Sequence, residues 1–357
     1  MKKIKPLLYL AAVLMIVNAV ASEPQSPLSD RDRKARDEIL KIVPPPEAIE
    51  LKMILAFPSK EQEKDDQYLW EANSLMRDSK GNYYVTDRKA NAVFIFNSSG
   101  KYISKFGKRG QGPGDLSMPG MIKILGDVLI VNEPGNRRLQ FFSFQGEPQK
   151  SIRLFKSCYD LAYLKDGRIV AAPMFVDETA ERALIEVLSP EGKIIQTFGN
   201  PFEFKWGSYI MNERRIFLNK NDEIIQVFCN LPFLQKYSIN GKLLREKHLE
   251  TEFSFKLEIL NRRWNFYLPN ERVGHMPIFH EAAILDDSIY IVGNNLYYLW
   301  IWEVDENFNI TRTFWAKPGE NFIVMDFLPF KEDGRLKFAF VRINPDTEVK
   351  INVFTPK

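Results

Sequence analysis

The chain repeats one pattern of polar and apolar positions six times between residues 78 and 346. Each copy opens with a polar turn, and an apolar run rich in Val, Ile, Phe and Tyr follows at once. Residues of these types, alternating along the run, favour strands with one buried face. The six opening turns are Asp78–Gly81, Leu125–Asp127, Lys165–Gly167, Lys220–Asp222, Leu285–Asp287 and Lys331–Gly334.

A second turn follows in each copy, and its spacing is nearly constant. It is marked by Gly100, Gly146, Gly192 and Gly241, and then by Asn307 and Asp346 in the equivalent place. The first three intervals are 46, 46 and 49 residues. Gly and Asn suit these sites because tight hairpin turns need a positive φ, which a Cβ atom disfavours.

A period of this length with two hairpins describes a four-stranded unit. Such units pack radially, because one small sheet cannot bury both of its faces alone. The sequence therefore predicts an all-β fold, a six-bladed β-propeller over residues 47–357. A β-sandwich with regular turns is the alternative, but a double spacing as even as this one disfavours it.

The last copy ends near Phe354 and is one strand short. An isolated apolar segment, Ile49–Phe57, precedes the first copy and has the composition of a strand. We expect this N-terminal strand to pair with the last blade and close the ring, because closure removes the exposed edges of an open array.

The N-terminus has the pattern of a secretory signal peptide. Three lysines precede the apolar run Leu7–Val17, and small residues follow at Ala19 and Ala21. We expect cleavage after residues 1–21 and a periplasmic or secreted protein. An uncleaved anchor is the alternative, although the run is shorter than the roughly 20 residues that a span needs. Only in that case would the protein contact the membrane, through its N-terminal segment.

Residues 22–46 form a polar linker. Its mixed-charge stretch Asp30–Lys41 predicts a short helix that ends before Pro44–Pro46. We interpret the linker as a tether that holds the propeller off the membrane or docks on its outside, although charge runs of this sort are usually solvated.

The charge balance excludes one class of partner. The chain has 49 basic and 46 acidic residues, and the leader carries three Lys and no acid, so 46 of each remain after cleavage. A nucleic-acid binder needs a surplus of positive charge, so we expect no nucleic-acid partner.

The chain has two cysteines, Cys158 and Cys229, which fall in the third and fourth copies. An oxidising compartment permits a disulfide between them, but the bridge needs a narrow geometry, and both alternatives stay open. Neither cysteine lies in a zinc-like spacing.

Residues 78–120 resemble the NHL repeat of six-bladed β-propellers. The matching features are Asp87, the turn at Asn91, Gly100-Lys101, Phe106-Gly107 and a glycine-rich link that ends at Pro119. The resemblance is specific over about two copies and implies six blades, similar to secreted bacterial propellers. Some propellers of this type are metal-dependent lyases, but this chain lacks the histidines for such a site.

The glycine-rich stretch Gly110–Gly114 superficially resembles a phosphate-binding loop. Such a loop needs a strand before it and a helix N-terminus after it. Here Pro119 and a further strand follow, so we interpret the stretch as the link between the first two blades.

Catalytic chemistry is sparse in the sequence. The chain has three histidines, His248, His275 and His280, and the last two lie five apart around a proline, which is a poor spacing for a metal pair. No Gly-x-Ser-x-Gly motif occurs. We name no catalytic and no metal-ligating residue and expect no cofactor, with calcium as the open alternative. Asp87, Glu133, Asp177 and Asp222 are the oxygen donors that a calcium site could use.

The best binding candidates lie where the period breaks, since recognition usually sits on long loops of a rigid scaffold. One insertion covers 201–209 and the other 253–280. Trp, Tyr and Arg are enriched at binding hot spots, and the candidates of these types are Trp206, Tyr209, Arg262, Arg263, Trp264, Tyr267 and Arg272.

The sequence thus favours a non-catalytic, monomeric extracytoplasmic scaffold for an envelope protein, peptide or glycan. A divalent-metal-dependent hydrolase or lyase with its site at the central channel is the alternative. The alternative for the aromatic residues of the insertions is that they cover the edge of the propeller or plug its channel, and for any single residue the sequence slightly favours that alternative.

Overall fold

The fold is a β-propeller, as the repeat predicts. A computed structural model describes residues 30–62, 67–154, 156–174, 182–204, 208–267, 277–295, 297–317, 323–344 and 348–357. These residues form 24 strands in six antiparallel sets of four around a central channel. The predicted signal peptide lies outside the described residues.

The first strand of the chain, β1 (Ile49–Phe57), belongs to the last blade. The first blade contains β2 (Ala72–Arg77), β3 (Tyr83–Asp87), β4 (Ala92–Phe96) and β5 (Tyr102–Phe106). The second contains β6 (Ile122–Leu125), β7 (Val128–Glu133), β8 (Arg138–Ser143) and β9 (Pro148–Arg153). The third contains β10 (Cys158–Tyr163), β11 (Ile169–Pro173), β12 (Ile185–Leu188) and β13 (Ile194–Phe198).

The remaining blades follow the same order. The fourth contains β14 (Arg214–Leu218), β15 (Ile224–Phe228), β16 (Phe233–Tyr237) and β17 (Leu243–His248). The fifth contains β18 (Glu281–Leu285), β19 (Ser288–Asn294), β20 (Leu299–Val304) and β21 (Ile310–Ala316). The sixth contains β22 (Ile323–Glu332), β23 (Arg335–Asn344) and β24 (Glu348–Pro356), with β1 as its fourth strand.

Strand β1 joins the ends of the chain, which confirms the predicted closure. It pairs antiparallel with β24, where Leu51 lies opposite Pro356 and Phe57 opposite Ile351. Its first two residues also pair in parallel with β21 of the fifth blade, Ile49 opposite Phe314. One strand therefore gives main-chain hydrogen bonds to two blades.

Burial follows the position of each strand in its blade. The middle strands β3, β4, β11 and β15 are buried along their whole length. Both of their faces pack against neighbouring blades, so the prediction of strands with one buried face was wrong for these four. They are mainly apolar, and the polar residues among them, such as Thr86 and Gln226, are buried too. The outer strands β9 and β17 are largely exposed at the rim and carry polar residues.

The predicted turn residues adopt positive φ in nearly every blade. The exceptions are the second turns of the last two copies. In the fifth blade the positive φ of 63° falls on Phe308, not on Asn307. Phe308 is fully buried in a cluster that contains Leu249 of the fourth blade, so core packing holds the strained backbone. Asp346 lies outside the described residues. In sequence it falls between β23 and β24, the second and third strands of the sixth blade, whereas the second turns of the other blades join third and fourth strands, because β1 is the fourth strand here.

Within the described residues three helices accompany the blades, α1 (Asp30–Leu40), α2 (Ser208–Met211) and α3 (Glu252–Tyr267). Within the range predicted as a linker the structure has the helix α1, and this helix contacts the propeller. Ile39 and Ile42 are buried in a cluster with Phe253 and Leu257 of α3. Two apolar residues at the end of a charged helix therefore dock it on the propeller.

The antiparallel order of the strands separates two faces of the disc. The short turns between first and second strands and between third and fourth strands lie on one face, which we call the turn face. The opposite face, the link face, carries the links between blades and the loops between second and third strands. Asn295 in one such loop donates to the carbonyl oxygens of Ile39 and Ile42, at 3.3 Å each, which places α1 on the link face.

Candidate functional site

The candidate site is the central channel. Its volume is about 760 Å³, and the first strands of all six blades line it. Arg88, Arg137 and Lys156 lie on link-face loops at one end, whereas apolar side chains such as Leu218 and Ile284 line the other. A ligand pocket typically has a volume of about 300–1,000 Å³, so the channel is large enough for a small molecule or a short peptide segment.

One polar side chain from each first strand lines the middle of this channel. We call these six residues the inner belt: Ser74, Lys123, Asp160, Arg215, Glu281 and Asp326. Ser74, Asp160 and Glu281 are buried, with exposures of 6%, 2% and 7%. Charges this deeply buried are stable only with partners, so their contacts decide what the belt can do.

Three belt residues, Ser74, Asp160 and Asp326, directly follow a bulge in their strand. A bulge re-aims a side chain, and here each side chain accepts a hydrogen bond from a backbone amide of the next blade. The donors are Ile122 for Ser74, Ile216 for Asp160 and Leu75 for Asp326, at 3.2, 3.0 and 2.7 Å. These bonds link blades one to two, three to four and six to one.

Ion pairs link two further junctions. Lys123 Nζ lies 3.1 Å from Asp160 Oδ1 and joins the second blade to the third. Arg215 donates through Nε to Glu281 Oε2 at 2.7 Å, and a second guanidinium contact to the same carboxylate makes the pair bidentate. This pair joins the fourth blade to the fifth. Bidentate pairs are the strongest of the ordinary ionic contacts.

The junction between the fifth and sixth blades differs. Its two belt residues are both carboxylates, Glu281 and Asp326, and no described residue bridges them. Asp326 instead accepts from Ser74 Oγ at 2.6 Å and from the amide of Phe327 at 2.7 Å. The belt thus holds three carboxylates and two cations, which leaves one uncompensated negative charge.

This imbalance appears in the protonation of the belt. Burial raises the pKa of Glu281 to about 7; Arg215 opposes the rise, and the carboxylates of Asp326 and Asp160 add to it. Burial also raises the pKa of Asp326, against the hydrogen bond from Ser74 and the charge of Lys123. For Lys123 burial favours the neutral form, but the surrounding carboxylates outweigh burial and raise its pKa.

His280 lies beside the belt and is uncharged at neutral pH. Burial, together with the neighbouring Arg215, lowers its pKa to about 4, and a hydrogen bond to the Asn294 backbone opposes this only in part. His280 therefore adds no positive charge that could offset the third carboxylate. Lys123 keeps 27% of its side-chain exposure, so solvent reaches this level of the channel.

The residues predicted from the insertions are only partly described. Tyr209 lies in α2, and Arg262, Arg263, Trp264 and Tyr267 lie in α3, but the structure describes only their backbone. Trp206 and Arg272 lie outside the described residues, as does His275. Both insertions connect a fourth strand to the next first strand, so both lie on the link face. The prediction that they bind a partner stays a prediction.

The oxygen donors considered for calcium are structural where the structure describes them. Asp87 accepts from the amides of Trp70, Glu71 and Ala90 and fixes a loop. Asp222 is a turn residue with a φ of 58°.

Glu133 is fully buried and binds Arg138 and the side chains of Asn136 and Gln140. Arg138 also donates to carbonyl oxygens of the glycine-rich stretch, which confirms that stretch as a blade link. Asp177 lies outside the described residues. Within the described ranges no three His, Cys, Asp or Glu side chains form a group that could hold a metal ion.

Both cysteines are free, and both line the channel. Burial, with the nearby Glu186, raises the pKa of Cys158 to about 12, and burial raises that of Cys229 as well. Since the thiolate is the reactive form, both thiols are inert at neutral pH.

Sequence reasoning missed the belt, although a signal for it was present. Ser74, Asp160, Arg215 and Asp326 each lie seven residues before a positive-φ turn residue, in strands that are otherwise largely apolar. A polar residue at a fixed distance before each turn is the periodic feature that identifies the channel lining. The partners could not be deduced, because they depend on bulges and on contacts across blades.

Comparison with known proteins agrees with this architecture. Residues 63–201 match the six-bladed β-propeller family DUF5128. No curated protein matches the chain by sequence.

Solved structures share the fold over most of the chain. A candidate exported protein from Bacteroides fragilis is 13% identical, with a TM-score of 0.58 over 86% of this chain and 95% of its own. A DUF4221 family member from Bacteroides vulgatus is 13% identical, with a TM-score of 0.56 over 87% and 98%. A catalytically inactive virginiamycin B lyase from Staphylococcus aureus, solved with quinupristin, is 16% identical, with a TM-score of 0.52 over 86% and 100%. At these identities the likeness concerns the fold alone.

None of the described helices combines the length and the apolar character that crossing a membrane requires.

Proposed function

We propose that the protein is a non-catalytic extracytoplasmic binding protein that takes its ligand into the central channel from the link face. The observation that carries this proposal is the channel itself, a space of about 760 Å³ with apolar walls at one end and fixed charges in its middle. Concave, largely apolar sites with a few placed polar groups are the usual form of ligand sites. The proposal that the protein is exported depends on the signal-peptide pattern of residues 1–21.

The ligand class follows from the size and lining of the channel. A folded protein domain does not fit into this space, but a small molecule, a sugar or a short peptide segment does. We therefore narrow the expected envelope partners to a free small ligand or an exposed chain segment of a larger one. The insertions around α3 lie on the same face and would contact the part of a partner that stays outside.

The metal-dependent alternative has no specific observation in its favour. The carboxylates of the belt are engaged by Lys123, Arg215 and backbone amides, and the named calcium donors that the structure describes support loops and turns.

Filling the channel tests the proposal. Ala283 lines the channel two residues beyond Glu281, hence on the same side of β18. Ala283→Phe should abolish binding of small-molecule fragments that wild-type protein binds in ligand-observed NMR. Ser99→Phe is the matched control, because Ser99 is exposed on the turn face. If Ala283→Phe, folded by circular dichroism, binds the same fragments as wild type, the channel is not the binding site.

A further inference from the structure

The inner belt has one junction at which its two residues repel each other. At five junctions an ion pair or a hydrogen bond from a belt residue joins neighbouring blades, as described above. At the sixth, Glu281 of β18 and Asp326 of β22 stand on adjacent first strands, and no described residue bridges them. This arrangement breaks a pattern that the rest of the ring keeps.

Both carboxylates retain the capacity to accept further hydrogen bonds. Arg215 uses one lone pair on each oxygen of Glu281. Asp326 accepts three bonds, from Ser74, Leu75 and Phe327. A carboxylate has about four acceptor positions, so at least one is open on Asp326 and two on Glu281.

The surroundings favour a cation at this junction. The belt carries three carboxylates against Lys123 and Arg215, and His280 beside it is neutral. Glu281 is only 7% exposed. An uncompensated negative charge is costly at so buried a position, and a bound monocation would remove that cost. The two resident cations make their ion pairs at other junctions, Lys123 with Asp160 and Arg215 with Glu281. The Lys123 charge also acts on Glu281 and Asp326, but without an ion pair to either.

We propose that the channel binds a ligand with a primary ammonium group, which bridges Glu281 and Asp326 at the junction between the fifth and sixth blades. An ammonium group has three donors in a compact space, so it can reach both carboxylates at once. The ligand's apolar part would lie against the apolar end of the channel, near Phe217 and Ile284. This proposal rests on the proposed function, since it assumes that ligands enter the channel.

Calorimetric titration with three probes of equal chain length tests it. The probes are n-hexylammonium, 1-hexanol and hexanoate. Wild-type protein should bind n-hexylammonium at least about tenfold more tightly than 1-hexanol, as expected for charge-assisted hydrogen bonds, and hexanoate most weakly. Equal affinity for the ammonium and the alcohol, or a preference for hexanoate, overturns the proposal.

Variants locate the group within the belt. Asp326→Asn and Glu281→Gln should each weaken n-hexylammonium binding about tenfold and leave 1-hexanol unchanged. The matched control is Asp160→Asn, because the Asp160 carboxylate is already held by Lys123 and Ile216; it should change the affinity less than about threefold. A control variant that loses as much as Asp326→Asn contradicts the assignment. If Glu281→Gln does not fold, Asp326→Asn and the wild-type probe series decide.

Failure of the ammonium proposal and failure of the proposed function give different results. If fragments bind wild type but not Ala283→Phe, and ammonium probes are not favoured, only the ligand class is wrong. If Ala283→Phe binds every fragment that wild type binds, the channel is not a binding site and both proposals fall.

Discussion

The junction between the fifth and sixth blades is built differently from the other five. At its rim β1 pairs with strands of both blades, whereas the described residues form no strand pairing across any other junction. In the channel the contrast is the opposite one, because a belt residue links the blades at each of the other five junctions and this junction has two unlinked carboxylates. The fifth and sixth blades are thus joined by strand pairing at the rim and not by a belt contact in the channel.

This difference separates closure of the ring from function in its centre. Apolar packing joins neighbouring blades at every junction, and the inner belt adds a link at five of them. The main-chain hydrogen bonds of β1 stabilise the sixth, so Glu281 and Asp326 need not contact each other there. We call β1 (Ile49–Phe57) the clasp. Its pairing at the rim therefore permits a pair of ligand-accessible carboxylates in the channel.

Removal of the clasp should have the largest effect. A chain that starts at residue 58 loses β1 and exposes edges of both β24 and β21, so we expect aggregation and no cooperative unfolding. A chain that starts at residue 43 is the control, because it lacks α1 but keeps β1. It should unfold cooperatively, with a loss of about 1.5–3 kcal/mol for each buried Ile removed. Cooperative unfolding of the chain that starts at residue 58 would show that contacts between side chains close the ring without β1.

Removal of a link in the inner belt should have the second largest effect on stability. Arg215→Leu leaves the buried Glu281 without its partner and should cost about 3–5 kcal/mol in the free energy of unfolding, measured by urea denaturation. The double variant Arg215→Leu/Glu281→Leu should recover most of this loss, since the only described partner of Arg215 then left without it is Glu213, whose side chain is 34% exposed. A double variant as unstable as the single one would mean that packing, not charge, holds this junction.

The pH dependence of stability offers a smaller effect. Between about pH 4.5 and 6.5 folded Glu281, with its raised pKa, keeps a proton that the unfolded chain has lost, so its contribution falls as pH rises. His280 has a lowered pKa, so the unfolded chain binds the extra proton and the contribution of His280 rises over the same range. In the wild type the two slopes oppose each other.

His280→Gln should therefore steepen the decline in stability by about 1.4 kcal/mol per pH unit relative to wild type. Glu281→Gln should shift the slope in the opposite direction. Urea denaturation at pH 5, 5.5 and 6 measures both. Unchanged slopes in both variants would contradict the assigned burial of these two groups.

The exposed ion pairs on the turn face should matter least. Lys331 contacts Asp286 between the fifth and sixth blades, and Lys220 contacts Asp287 between the fourth and fifth. The side chains of both pairs are exposed. Solvent screens such pairs, so Lys331→Ala and Lys220→Ala should leave the thermal midpoint unchanged within error. A clearly lower thermal midpoint for Lys331→Ala alone would mean that this ion pair, together with β1, stabilises the junction between the fifth and sixth blades.

The sequence predicted the architecture because its signals are local. Turn glycines at a fixed period, alternating strands and the unpaired segment Ile49–Phe57 each follow from short-range rules. Phe308 escaped prediction because its positive φ is held by packing across two blades. Asn307 looked like the better turn residue from its type alone.

The site was much less predictable than the fold. Residues such as Trp264 were chosen by type and by their place in an insertion, and that reasoning located the link face. The belt depends on bulges that turn Asp160 and Asp326 toward the next blade and on pairing across blades, neither of which one strand's sequence reveals.

The most direct test of the clasped but open junction is the titration of Glu281. Carbon-13 NMR of protein labelled at its Glu carboxyls, assigned with Glu281→Gln, measures the pKa of this group. We expect a Glu281 pKa of about 7 in the free protein and a clear decrease when n-hexylammonium is added. A Glu281 pKa near the ordinary value for glutamate, unchanged by the ammonium, would contradict it.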